Sequence, residues 1–168
     1  MAKLWLDSNV FMQAKNDYYA FDIVPGFWDV LQHGAGNGSL CCPMMVYEEI
    51  ARGGDELKMW ACQPKSFELF AEADENVQKE FSKVAEFVQM GPYHPSQVAL
   101  FLRGADPWVI SFALASGGTV VTQEKLVGAD SKKIKIPNIC KHFSVEYISS
   151  YEMLRRLGKK LCFGGQTV

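Results

Sequence analysis

The stretch ADPWVISFALASGGTVVTQE, residues 105–124, limits what this chain can fold into more than any other. Asp106 opens an apolar helical run, and Pro107 sits in the first turn, where a missing N–H does no harm. Val109, Ile110, Ala113 and Leu114 give that helix a core face. Gly117 and Gly118 end it. Thr119 to Thr122 then carries a β-branched residue at every position. A strand of this kind is covered on both sides, which is the situation inside a parallel sheet.

A second stretch says where a site can form. LWLDSNVF, residues 4–11, begins as a strand (Leu4, Trp5, Leu6) and breaks at Asp7, Ser8 and Asn9. Open α/β sheets bind ligands in the crevice beyond the carboxyl ends of their strands, so Asp7 is delivered to that edge. Elsewhere strand and helix signals alternate. Helices are expected from Asn9 to Lys15, Pro25 to Gly34, Pro43 to Arg52, and Asp55 (an N-cap) to Gln63. Ser66 to Ala71 reads as a short helical piece. Asp74 to Met90 carries Val77, Phe81, Val84 and Val88 on one face. Pro95 to Arg103, IPNICKHF (136–143) and Ser150 to Leu157 complete the helices. Leu40 to Cys42 and Val145 to Ile148 are further strands. The glycines at 34, 36 and 38 follow a helix and precede a strand, so they form a turn. A phosphate-cradling loop has the opposite order. The expected fold is α/β with a mainly parallel central sheet, one domain over residues 1–157 and a tail over 158–168.

Composition excludes some functions. The net charge of −2 argues against holding nucleic acid by bulk charge and leaves only a local basic patch. Lys15, Arg103, Lys125, Lys132 and Lys133 are candidates for one. No apolar run approaches the ~20 residues of a membrane span, and the chain enters a strand at once, so no membrane association, no signal peptide and a cytoplasmic location are expected. The five cysteines have no CxxC pair or His-rich spacing, which reads as thiols and not as a zinc site. His33, His94 and His142 are scattered and receive no catalytic role.

Four acids share a positional logic. Asp7 and Glu124 follow strands, Glu49 lies in a helix after a strand, and Asp106 begins a helix. Taken singly, Asp7 is a turn acid, Asp106 an N-cap, Glu49 a neighbour of the competing Glu48, and Glu124 an exposed acid after a strand. Together they can meet at one sheet edge. Like charges so placed raise one another's pKa, and a hard divalent cation such as Mg²⁺ or Mn²⁺ relieves this with oxygen-only ligands.

LDSNVF, YEEI, the block from Ala105 to Glu124 and the strand after IKIP together resemble a PIN domain, from Leu4 to about Ser149. FDIVPGFWDVL and IKIP further resemble a prokaryotic PIN-like subgroup related to VapC-type toxins. The resemblance implies a three-layer α/β/α fold and an Mg²⁺- or Mn²⁺-dependent endoribonuclease acting on RNA. It makes Asp7, Glu49, Asp106 and Glu124 the metal-binding and catalytic acids, with Asn9 and Thr122 in support. At position 124 the family usually has Asp, and this chain has the longer Glu. The resemblance also implies a toxin role, a protein antitoxin as partner, and a homodimer. Two other readings stand beside it: a catalytically weak module of the same fold that binds RNA or protein, and a phosphohydrolase of small molecules.

Overall fold

The computed structural model describes residues 2–128 and 131–161. Strands β1 (Leu4–Leu6), β2 (Leu40–Pro43), β3 (Phe70–Ala71), β4 (Thr119–Val121) and β5 (Tyr147–Ile148) form one sheet in the order β3-β2-β1-β4-β5. Every pairing is parallel. The helices are α1 (Ser8–Gln13), α2 (Pro25–Gly36), α3 (Met44–Arg52), α4 (Glu56–Ala61), α5 (Pro64–Phe67), α6 (Glu75–Met90), α7 (Pro95–Arg103), α8 (Asp106–Ser116), α9 (Ile136–His142) and α10 (Ser150–Arg156). A π-helical turn, Ala14–Tyr18, prolongs α1.

The central strand shows how the two faces are covered. Leu4 is in register with Leu40, and Trp5 with Cys41; alternation puts the two pairs on opposite faces. Leu40 lies so close to Gly34 of α2 that a Cβ there would meet it at 2.5 Å. On the other face the Trp5 ring is 4.5 Å from Phe112 of α8, and its Nε1 donates to Ser116 Oγ at 2.8 Å. Gly118 is held to glycine by this packing, because a Cβ would stand 2.7 Å from the Lys3 carbonyl oxygen and 2.8 Å from the Trp5 ring. Helix α6 covers α8 from outside, with Phe81 stacked on Trp108 at 4.1 Å. Leu6, Leu31, Leu40, Ile110 and Val121 are fully buried, each stabilising the fold by ~1.5–3 kcal/mol.

Several local expectations change. Ser66 to Ala71 is not one helical piece: α5 occupies Pro64–Phe67 and β3 follows at Phe70–Ala71. A two-residue strand shows no periodicity of its own; it exists because Cys42 N donates to the Leu69 carbonyl oxygen at 2.7 Å. Asp106 is the first residue of α8, and Ala105 occupies the N-cap position without a side-chain bond, so Asp106 is not a cap. Asp55 does cap α4, accepting from Leu57 N and Lys58 N. The Cys41, Cys42, Cys62 and Cys140 thiols are free. Cys162, and the expected tail from residue 162 onward, lie outside the described residues. No single described helix is long and apolar enough to cross a membrane. The α7–α8 pair, bent by 64°, has the length and composition, but α8 is largely buried inside the protein.

Strand order positions the site. From β1 the chain steps outward to β2 and β3, then returns to the far side of β1 as β4 and continues to β5. The order therefore reverses between β1 and β4. Right-handed crossovers send the connections to opposite faces there, which opens a crevice at the strands' carboxyl ends.

Candidate functional site

Asp7 stands at the carboxyl end of β1, with its backbone N–H on the Val121 carbonyl oxygen at 3.0 Å. Its side chain is completely buried. Oδ2 accepts from Thr122 Oγ1 at 2.8 Å and from Asn9 Nδ2 at 3.3 Å, and Oδ1 from Ser8 Oγ at 3.3 Å. Burial pushes the carboxyl up to about 6. The Thr122 and Asn9 bonds pull it down, and the Glu124 charge pushes it up. Thr122, just past β4, also accepts from Glu124 N at 3.1 Å. One hydroxyl thus orients Asp7 and fixes the start of the loop that carries Glu124.

Asp106 is the most perturbed acid. Burial first, then the charges of Asp7, Glu124 and Glu49, push it up to about 8, and Lys135 draws it back only partly. Asp106 thus lies within the fields of the other three acids. Asp106 and Glu124 line a cleft of about 210 Å³ together with Gln97, Lys133 and Lys135. Glu49, on α3, accepts from Ala105 N at 2.8 Å, one residue before Asp106. Its neighbour Glu48 is exposed, so Glu49 is the acid that reaches the edge.

The acids converge without closing on one point. Among the described residues, no three Asp, Glu, His or Cys side chains stand together as a ready-made ligand set. Glu124 is occupied: Oε1 is ion-paired with Lys135, and Oε2 accepts from Ile136 N at 2.8 Å. Lys135 is not among the basic candidates read from the sequence. Lys135 is eleven residues beyond Glu124, a separation that no local pattern connects. Of the basic candidates, Lys15 is ion-paired with Asp55, whereas Lys133 lines the cleft of Asp106 and Glu124.

A family model described as a domain of unknown function, DUF4411, matches residues 4–161. The chain belongs to the DUF4411 family. The matched segment runs from β1 through α10 and includes all four acids. No curated protein matches the chain.

The donor chemistry of this DUF4411 domain fits a hard cation. The four acids offer oxygen only, and Asp7 and Asp106 both bind protons far more tightly than ordinary aspartates. Lys135 offsets the charge on Asp106 only in part, and a divalent ion with retained waters suits such a set.

Proposed function

We propose that this protein is a PIN-type endoribonuclease that hydrolyses RNA phosphodiester bonds with Mg²⁺ or Mn²⁺. The observation that carries this reading is the gathering of Asp7, Glu49, Asp106 and Glu124 towards the β1/β4 switch point, where burial and then the charges of the other three acids raise Asp106, and burial and then Glu124 raise Asp7. Asp7 and Asp106 would hold the metal, joined by Glu124 directly or through water, while Glu49 would serve a second ion or orient the attacking water. Bound there, a divalent cation lowers the pKa of a water and draws charge from a phosphoryl oxygen.

The remaining groups position and neutralise. Thr122 and Asn9 fix Asp7 Oδ2, so the carboxylate meets its ligand in one orientation. Lys135 balances Glu124 until a ligand arrives, and Lys133 brings positive charge to the cleft for a backbone phosphate. Ala105 N–H ties Glu49 to the start of α8 and so couples it to Asp106.

The test is cleavage of single-stranded RNA in Mn²⁺, compared with EDTA and with Asp7→Asn. Cleavage that needs the metal and is lost in the variant supports the reading; cleavage that survives both controls overturns it. The toxin role, antitoxin and homodimer rest on the resemblance to VapC-type proteins. A small gene just upstream encoding a DNA-binding protein would support them. One observation favours a second reading, a catalytically weak RNA- or protein-binding module: Glu124 is already satisfied by Lys135 and Ile136 N–H without a metal. Binding of RNA without cleavage in Mn²⁺ would favour it.

A further inference from the structure

We infer that the cleft beside the acid cluster is a stacking subsite for a nucleobase of single-stranded RNA, with Tyr151 as its platform and Tyr18 at its edge. The inference deepens the nuclease reading and rests on it. The cleft measures about 440 Å³, within the usual range of small-ligand sites. Thr122 and Glu124 line it together with Lys125 and Tyr151, so it shares Glu124 with the acid cleft.

Tyr151 lines the cleft, Tyr18 stands next to it, and both rings are open to solvent. Tyr151, at the start of α10, is 45% exposed, and Tyr18, at the end of the π-helical turn, 64%. Their ring centroids are 6.4 Å apart with planes inclined at 60°, so the rings form a notch and do not stack on each other. The support behind them is fixed. Tyr19, 6.3 Å from Tyr151, lies flat on Phe27 at 4.3 Å and 3°, and its carbonyl oxygen accepts from Trp28 Nε1 at 2.7 Å. Gln123 Nε2 donates to Ser150 Oγ at 2.7 Å, which ties the segment after β4 to the start of α10, the helix that carries Tyr151.

A splayed base stacks on such a ring, the common mode of single-stranded RNA recognition. Lys125 supplies charge for its phosphate. Because the two clefts meet at Glu124, a base on Tyr151 is joined by its own backbone to a phosphate at the acids. That continuity favours a nucleic-acid strand over a peptide.

The experiment is fluorescence anisotropy of wild-type protein in EDTA with a labelled oligouridylate of about ten nucleotides. Tyr151→Ala should weaken binding roughly 5- to 150-fold, the range for one lost base stack. Tyr18→Ala should weaken it less, and Tyr151→Phe should bind like wild type. An abasic ribose-phosphate probe should bind wild type and Tyr151→Ala equally. Equal binding of oligouridylate by wild type and Tyr151→Ala overturns the inference. So does an equal loss on the abasic probe, a loss in Tyr151→Phe matching that in alanine, or no binding by wild type. The cleavage assay is separate. Tyrosine-dependent binding without metal-dependent cleavage leaves the subsite standing and removes the nuclease. Cleavage at the wild-type rate by Tyr151→Ala at low RNA concentration does the reverse.

Discussion

Replacing Asp106 with Asn should stabilise the metal-free protein, and more so at high pH. The carboxyl rises from 3.8 to about 8 on folding. At 1.36 kcal/mol per pH unit, the ceiling on the cost of ionising it in the fold is ~6 kcal/mol. The folded state holds this proton more tightly than the unfolded chain does. Its contribution to stability is therefore full below pH 3.8, falls as pH rises, and is gone beyond about pH 8. Asp7, raised to about 6, acts in the same direction over a narrower window. Part of the cost at position 106 is repulsion from Asp7, Glu124 and Glu49, which Asn removes, and part is relieved already by Lys135. A third to a half of the ceiling, ~2–3 kcal/mol at pH 8, is the expected gain, or roughly 4–12 °C in Tm for a chain of this size. Thermal unfolding in EDTA at pH 5, 6.5 and 8 measures it. The gain should be small at pH 5 and largest at pH 8. A variant less stable than wild type at pH 8, or one whose stability falls with pH as steeply, would refute the argument that these acids repel one another.

Three further substitutions test other parts of the site and the sheet. Thr122→Val removes the hydroxyl shared by Asp7 and Glu124 N and should cost ~1–3 kcal/mol in urea unfolding, with cleavage reduced, while Thr122→Ser keeps most of both. Glu49→Ala strands the Ala105 N–H and should cost a similar ~1–3 kcal/mol. Glu49→Gln should retain that bond and the stability yet lose cleavage in Mn²⁺. Gly118→Ala drives a methyl into the Lys3 carbonyl oxygen and the Trp5 ring and should destabilise by ~1–3 kcal/mol, read as a lower urea midpoint.

The parallel sheet was legible because Leu4–Leu6 and Thr119–Val121 are apolar or β-branched throughout, and only strands covered on both faces tolerate that. The direction of each carboxylate was partly legible. Asp7 and Glu124 directly follow strands, whereas the choice of Glu49 over the adjacent Glu48 came from the resemblance. Strand β3 was invisible because two residues carry no period and depend on pairing with β2. That Asp106 begins a helix was legible from Pro107 and the apolar run after it; the bland N-cap reading falls away because α8 starts on the acid itself. The engagement of Glu124 by Lys135 and Ile136 N–H depends on how the loop after β4 folds back. No spacing in the sequence encodes that.

Diffraction at the manganese edge from crystals grown with Mn²⁺ tests the central claim most directly. The account predicts an anomalous peak between Asp7 and Asp106 that disappears in Asp7→Asn. Crystals that take up Mn²⁺ elsewhere, and leave those two carboxyls without it, would contradict the account.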